Sequence, residues 1–203
     1  MDYFCFTFIV LILSVLNRKK SEICMILMFS FSIANVKIGG CMIKVGILTI
    51  SDKGSKGERT DGTCPAIKEI LNKNIYSVEY YKIIPDEIEI IRKELIYICD
   101  ELNLDLILTN GGTGFSKRDV TPEATMKVIE KQVPGITEAM RQMSLSITPM
   151  AMLSRAVAGI RKNTLIINLP GSPKGAVENL KFALPALPHG IEILKGTAGE
   201  CAR

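Results

Sequence analysis

Short apolar runs with the length of buried strands alternate along residues 42–194 with segments that repeat Ile and Leu at helical spacing. The run at 44–50 and the almost wholly apolar run at 105–109 lack a polar face, as strands covered on both sides do. A further strand is predicted at 78–84, and the helix predicted at 87–102 separates it from the run at 105–109. This alternation predicts crossover connections and a three-layer α/β fold, in which a mainly parallel sheet has helices on both faces.

The rest of this domain continues the same pattern. A polar loop at 54–62 leads to a helix that begins at Thr63, which we expect to act as its cap, with Pro65 in the first turn. The further predicted elements are helices at 121–133 and 136–146, strands at 155–160 and 164–169, and helices at 174–184 and 186–194. In such sheets ligands bind beyond the carboxyl ends of the strands. The loops expected to hold the chemistry are therefore 51–62, 85–86, 110–121 and 169–174.

Composition excludes several classes of protein. With 203 residues, of which 47% are apolar and 23% charged, the chain is neither disordered nor too short for a real core. A net charge of +4, mixed in sign along the chain, does not indicate nucleic-acid binding. A single histidine, His189, which we interpret as structural, argues against histidine-rich metal sites. Cys64, Cys99 and Cys201 show no CxxC spacing, so we expect buried or incidental thiols in a reducing cytoplasm.

Residues 1–41 differ from the rest of the chain. Their two apolar runs, 3–16 and 23–36, have 14 residues each, whereas a membrane-spanning helix needs roughly 20. We interpret this extension as a translated leader or non-native start, because the residues just before Met42 can be encoded by a purine-rich ribosome-binding site. A signal peptide or membrane anchor is the alternative. The folded domain is thus predicted over 42–203, in the cytoplasm and without membrane association.

The glycine-rich segment 109–114, Thr-Asn-Gly-Gly-Thr-Gly, overlaps the end of a predicted strand. Three glycines among four residues let the backbone approach a ligand closely and present its N–H groups to an anion. The spacing matches neither the P-loop nor the dinucleotide-binding fingerprint. On its own, the segment predicts two alternatives about equally: an anion-binding loop, or a tight turn that binds no ligand.

Two carboxylates extend this prediction. Asp119 follows Lys117 and Arg118, and a carboxylate among phosphate-binding cations is expected where it holds Mg²⁺. The alternative for Asp119 is a surface ion pair with one of those two cations. Asp86 ends a predicted strand, and with Glu89 three residues later its spacing favours a helix cap. A cap at that edge of the sheet remains compatible with a role in an active site.

Further polar residues follow the later predicted strands. Arg155 suits a bidentate contact with a phosphate, and Lys174 either supplies a point charge near a helix start or is simply solvated. Four methionines fit core or subunit-interface packing better than a cofactor site: Met140, Met143, Met150 and Met152.

Taken in order, these motifs resemble the MogA/MoaB family of molybdenum-cofactor biosynthesis proteins, which is related to the G domain of gephyrin. The resemblance covers 42–194, and the matching residues are 50–52, 84–87, 109–114, 118–123, 153–155, 158–159 and 168–174. Asn110 stands where this family is expected to have threonine. The lack of the longer C-terminal tail of some MogA proteins favours the short MoaB-like branch.

The resemblance implies a molybdopterin adenylyltransferase, which adenylylates molybdopterin with Mg-ATP and releases pyrophosphate. It implies that Asp86 and Asp119 are the catalytic carboxylates and that both hold Mg²⁺. It further implies a set of residues that bind molybdopterin or the nucleotide: Ser51, Asp52, Thr109, Gly111, Gly112, Thr113, Gly114, Arg118, Thr121, Ser154, Arg155, Pro170, Gly171, Ser172 and Lys174.

The resemblance also implies partners. A homotrimer, or a hexamer of two trimers, is expected, with transfer of the product to a MoeA-like molybdenum-insertion protein and with no nucleic-acid or membrane partner. Two alternatives stay open from the sequence. The domain could be a non-enzymatic molybdopterin carrier or scaffold, or it could be a CinA-like nucleotide or pyrophosphate hydrolase.

Overall fold

A computed structural model describes residues 42–197, which contain six strands and seven α-helices. The strands are β1 (Ile43–Ile50), β2 (Tyr76–Ile84), β3 (Leu106–Asn110), β4 (Lys131–Gln132), β5 (Ala158–Arg161) and β6 (Thr164–Leu169). The α-helices are α1 (Asp52–Ser55), α2 (Thr63–Ile70), α3 (Ile88–Asp100), α4 (Thr121–Met126), α5 (Pro134–Leu145), α6 (Pro173–Ala183) and α7 (Leu187–Leu194), and a 3₁₀ helix covers Pro149–Leu153.

The strands form one sheet in the order β2-β1-β3-β6-β5-β4. β2, β1, β3 and β6 run parallel, while β5 pairs antiparallel with both β6 and β4. Ile50 lies opposite Ile84, and Asn110 lies opposite Leu169, so the four parallel strands end at one edge of the sheet. The predicted α/β fold with a mainly parallel sheet is confirmed, and so is the grouping of the strand-terminal loops.

Both faces of the sheet are buried. On β3, Leu106 and Leu108 join one apolar cluster and Ile107, which points to the opposite face, joins the other, and none of the three is exposed. Buried residues of α2, α5, α6 and α7 complete the first cluster, and those of α3 and α4 complete the second. Each fully buried Leu or Ile contributes roughly 1.5–3 kcal/mol through loss of water contact. The central strands therefore need a helical layer on each side.

Two predicted helix caps are wrong. Asp61, not Thr63, caps α2, because its Oδ1 accepts hydrogen bonds from the N–H groups of Thr63 and Cys64 at 2.7 and 3.2 Å. Thr63 instead donates its hydroxyl to the carbonyl of Gly171 at 3.0 Å. Asp86 does not cap α3, whose N-terminal flanking residue has no side-chain cap. Its carboxylate instead accepts a hydrogen bond of 2.8 Å from the N–H of Asp52, two residues after the end of β1.

The segment after the glycine-rich turn also differs from the prediction. The helix expected over 121–133 ends at Met126, and the chain then pairs with β5 through β4. Hydrogen bonds from Glu130 N–H to the Ile160 carbonyl (2.7 Å) and from Val133 N–H to the Ala158 carbonyl (2.8 Å) extend this pairing. Strand pairing that is distant in sequence therefore overrides the local helical pattern. The one-turn α1 and the 3₁₀ helix are likewise additional to the predicted elements.

Two cysteines of the domain are buried free thiols, as predicted. Burial raises the pKa of Cys64 and raises that of Cys99 to about 12, so both remain protonated near neutrality. Cys201 and the extension 1–41 lie outside the described residues, and their interpretations stay predictions. Within 42–197, none of the helices has both the length and the apolar character that a membrane crossing requires.

Candidate active site

The loops that follow β1, β2, β3 and β6 surround one cavity of about 350 Å³. These are the loops that the sequence places beyond the carboxyl ends of the strands. The lining residues are Thr49, Ile50, Ser51, Gly54, Arg59, Thr60, Asp61, Gly62, Thr63, Asp86, Asn110, Gly111, Gly112, Asp119, Gly171, Ser172 and Pro173. We call this cavity the strand-end pocket.

The glycine-rich turn forms one wall of the pocket in a conformation that requires glycine. Gly111 and Gly112 have φ angles of +102° and +62°. A Cβ atom on Gly111 would lie 2.3 Å from the carbonyl oxygen of Ile50, and one on Gly112 would lie 2.4 Å from Oγ1 of Thr121. Thr121 fixes the turn, since its hydroxyl donates to the Gly111 carbonyl at 2.8 Å. The Gly111 N–H in turn donates to the Leu169 carbonyl at 3.2 Å, so the turn is held to the strand ends on both sides.

Asp86 is half-buried in the wall of the pocket. Its Oδ2 accepts a hydrogen bond of 2.8 Å from the N–H of Asp52. Its Oδ1 lies 3.1 Å from the position that a Cβ on Gly112 would take, which places the carboxylate against the glycine turn. Burial, followed by the negative charges of Asp52 and Asp119, raises the pKa of Asp86. A nearby cation would relieve this repulsion.

Asp119 lines the same pocket from the loop after β3. Its Oδ2 accepts a hydrogen bond of 2.8 Å from the N–H of Ser116. The surface ion pair with Lys117 or Arg118, which was the alternative for Asp119, does not form within residues 42–197. Asp119 and Asp86, which are 33 residues apart in the sequence, therefore face one cavity.

The two carboxylates suit a magnesium ion. Each commits its Oδ2 to a backbone N–H, and within residues 42–197 no hydrogen bond reaches the Oδ1 atom of Asp86 or Asp119. Mg²⁺ prefers oxygen ligands and commonly takes one or two carboxylates, with water and substrate phosphates completing its shell. The described part of the chain contains no group of three or more His, Cys, Asp or Glu side chains placed to hold a metal. Two carboxylates alone could therefore hold a metal only together with water or with the phosphates of a substrate.

Arg118 and Asp52 form the rim of the site. The Arg118 guanidinium donates to both carboxylate oxygens of Asp52 at 2.9 Å and also pairs with Glu87 at 2.8 Å. This guanidinium holds the pKa of Asp52 below its usual range. Asp52 and Arg118 lie outside the pocket lining, and their contacts tie together the loops after β1, β2 and β3.

Arg155 holds the loop that carries Asp119. Its Nε donates to the Gly114 carbonyl at 2.6 Å, and its Nη2 donates to the Asp119 carbonyl at 2.5 Å. Its Nη1 pairs with Glu123. All three nitrogens thus contact protein acceptors, and the guanidinium lies outside the pocket lining. The structure places Arg155 as a positioning residue beneath this loop rather than at the pocket wall.

The sequence-predicted residues fall into two groups. Those that line the pocket are Ser51, Asp86, Gly111, Gly112, Asp119, Gly171 and Ser172. Those outside its lining are Asp52, Thr109, Thr113, Gly114, Arg118, Thr121, Ser154, Arg155, Pro170 and Lys174. Thr109 and Thr121 are fully buried, and Lys174 is exposed near Glu178 at 3.9 Å. Their predicted binding roles stay predictions.

The sequence did not single out Asp61, which also lines the pocket. Its carboxylate accepts four hydrogen bonds, two from the backbone of α2, one from the Thr49 hydroxyl at 2.6 Å and one from the Tyr81 hydroxyl at 2.7 Å. Asn110 in turn donates to the Thr49 hydroxyl at 3.0 Å. Burial raises the pKa of Asp61, but these hydrogen bonds outweigh it and leave the pKa lowered. The sequence feature that could have identified Asp61 is its position two residues before the start of a helix.

A family model described as "Probable molybdopterin binding domain" matches residues 46–189. The chain belongs to this family. The molybdopterin adenylyltransferase of Helicobacter pylori strain 26695 is 47% identical over 156 residues, which cover 76% of this chain and 89% of the relative. That of Escherichia coli K12 is 40% identical over 175 residues, which cover 79% of this chain and 89% of the relative.

Comparison with a solved structure supports the same family on the basis of the fold. The molybdopterin biosynthesis enzyme MoaB from Thermus thermophilus superposes with a TM-score of 0.73 at 54% identity, covering 76% of this chain and 98% of that protein. The resemblance to the MogA/MoaB family is therefore confirmed, and the chain is placed among proteins of molybdenum-cofactor biosynthesis.

Proposed function

We propose that this chain is a molybdopterin adenylyltransferase, which transfers the AMP moiety of ATP to the phosphate of molybdopterin. The observation that carries the proposal is the shared pocket, where Asp86 and Asp119 face one cavity beside the backbone of Gly111 and Gly112. The activity named for relatives that are 40–47% identical over most of this chain supports it.

The reaction requires positioning and charge neutralisation more than covalent participation by the protein. A phosphate oxygen of molybdopterin forms a bond to the α-phosphorus of ATP, the bond from that phosphorus to the bridging oxygen breaks, and pyrophosphate leaves. The attacking phosphate is already ionised near neutrality, so the step needs no general base. The only histidine of the chain, His189, is not part of the pocket lining.

Asp86 and Asp119 would hold Mg²⁺ through their Oδ1 atoms. The bound metal supplies charge neutralisation to the phosphates of both substrates. The glycine turn lines the pocket and would place its backbone beside a bound phosphate. The hydrogen bonds from Asp52 and Ser116 fix the orientation of the two carboxylates before substrate enters. Such preorganised groups favour the charge distribution of the transition state.

The oligomeric state belongs to the same proposal, and we expect a homotrimer or a hexamer. Six apolar side chains between the end of α5 and the end of the 3₁₀ helix are 36–66% exposed: Met143, Leu145, Ile147, Met150, Met152 and Leu153. An apolar group of this size is typical of an interaction surface. Met140, which belongs to the same predicted methionine set, is buried in the core. Sedimentation analysis of the full chain measures the state directly, and a monomer at micromolar concentration would contradict it.

One assay tests the function against its alternatives. The full chain is incubated with molybdopterin and Mg-ATP, and pyrophosphate, phosphate and AMP are measured separately. We expect pyrophosphate release that requires molybdopterin. Release of phosphate or AMP without molybdopterin would identify a CinA-like hydrolase. Binding of molybdopterin with no release would identify a carrier. Transfer of the product to a MoeA-like protein and a cytoplasmic location stay predictions.

A further inference from the structure

The strand-end pocket has an unusual charge balance for a site that accepts two phosphate substrates. Its lining contains the carboxylates of Asp61, Asp86 and Asp119, and among the described residues only one cationic side chain, Arg59. Four hydrogen bonds stabilise the carboxylate of Asp61, which keeps its negative charge. Together the three carboxylates make the wall acidic, so a polyanion needs a positive group as well as a shared metal.

The cations that the sequence predicted for this purpose are committed elsewhere. Arg118 pairs with Asp52 and Glu87 at the rim. Arg155 uses all three guanidinium nitrogens on the loop that carries Asp119. Lys117 and Lys174 lie outside the pocket lining. None of these side chains supplies a free cation to the pocket wall.

Arg59 meets the requirement that the other cations do not. Its side chain is exposed, lines the pocket, and makes no hydrogen bond or ion pair with any residue in the described range 42–197. A guanidinium without a protein acceptor keeps all its donors available, and its planar fork matches two oxygens of a phosphate.

The backbone on both sides of Arg59 is fixed. Glu58 donates its N–H to the Lys53 carbonyl at 2.9 Å, and Asp61 is held by its four hydrogen bonds. Thr63 then joins this loop to the Gly171 carbonyl at 3.0 Å. The guanidinium therefore extends from an anchored segment, and less conformational entropy is lost when it binds.

We propose that Arg59 binds a phosphate group of ATP or of molybdopterin inside the strand-end pocket, an inference that rests on the proposed function. Arg59 contributes the positive charge that offsets Asp86 and Asp119, and it contacts the substrate directly rather than through another residue. Arg59 lies on the loop between α1 and α2. Its loop is therefore a third strand-end loop that contacts the substrate, in addition to the loop that carries the glycine turn and the loop that carries Asp86.

Direct binding measurements test this without depending on turnover. The full chain and its Arg59→Gln variant are titrated separately with ATP and with molybdopterin by calorimetry. We expect the Kd for at least one of them to rise roughly 10- to 100-fold, the range for loss of a charged hydrogen bond. A rise for ATP alone assigns the contact to the nucleotide, and a rise for molybdopterin alone assigns it to the pterin phosphate.

Lys56→Gln is the matched control, because Lys56 is exposed on the same loop but does not line the pocket. Its Kd values should stay within twofold of the unmodified chain, and both variants should melt at the same temperature as that chain. Arg59→Gln with unchanged Kd values for both substrates would overturn the inference. Absent pyrophosphate release by the unmodified chain would instead contradict the proposed function, and the binding data would still decide the role of Arg59.

Discussion

Asp52 and Asp86 bind each other's backbone in a reciprocal pair of hydrogen bonds. The Asp52 N–H donates to Asp86 Oδ2 at 2.8 Å, and the Asp86 N–H donates to Asp52 Oδ1 at 3.1 Å. The two residues follow the ends of neighbouring parallel strands, where Ile50 lies opposite Ile84. This exchange joins the two loops and directs the free Oδ1 of Asp86 towards the glycine turn. It is the reason that Asp86 serves the pocket instead of capping α3.

The first prediction concerns the two carboxylates that face the pocket. Asp86→Asn and Asp119→Asn keep side-chain size but remove the charge that a metal requires. We expect each to lower kcat for molybdopterin-dependent pyrophosphate release by about 10²–10³, the scale for loss of one preorganised electrostatic group. Glu89→Gln is the control, since Glu89 is exposed on α3 and pairs with Arg92 outside the pocket. Full activity in either variant would contradict the assignment of that aspartate as a metal ligand.

The second prediction concerns the glycine turn. In Gly112→Ala the new Cβ would lie 2.4 Å from Thr121 Oγ1, on a residue with φ of +62°. We expect a loss of about 1–3 kcal/mol in the free energy of unfolding, because both the contact and the backbone are strained. Gly135→Ala in α5 is the control, as its Cβ would meet nothing within 4 Å. Urea denaturation measures both, and equal midpoints would contradict a strained turn.

The third prediction is a pH dependence that arises from Asp61. Hydrogen bonds outweigh burial and leave its pKa lowered in the folded state, so ionised Asp61 stabilises the fold above its unfolded-state pKa of roughly 3.9. This stabilisation is lost as the pH falls through the lower folded-state value. Asp61→Asn should therefore cost roughly 1–2 kcal/mol at pH 7, and the difference from the unmodified chain should narrow below about pH 4.

Thermal denaturation between pH 3 and pH 7 measures this difference for Asp61→Asn. Glu69→Gln, on the exposed face of α2, provides the control for removal of a carboxylate from the same helix region. A gap between Asp61→Asn and the unmodified chain that stayed constant over this range would show that the charge of Asp61 does not contribute to stability.

The sheet and the edge that carries the site could be predicted because the signals are local. The apolar run at β3 has no polar face, and the glycine-rich segment 111–114 directly follows it. The contacts that define the pocket could not be predicted, because they join residues distant in sequence. Asp61 meets Thr49 and Tyr81 only after β1 and β2 pair, and β4 exists only because β5 offers its edge. Local spacing therefore identified the loops but not their mutual hydrogen bonds.

The last prediction separates binding from positioning at Arg155. Its Nε and Nη2 hold the carbonyls of Gly114 and Asp119, so Arg155→Lys removes the fork that braces the Asp119 loop while keeping the positive charge. We expect kcat to fall roughly 10- to 100-fold, since small misplacements of a reacting group have costs of this size. The Kd for ATP should change less than twofold, because the guanidinium lies outside the pocket lining. A variant with unchanged kcat and a raised Kd for ATP would instead restore the direct phosphate contact expected from the sequence.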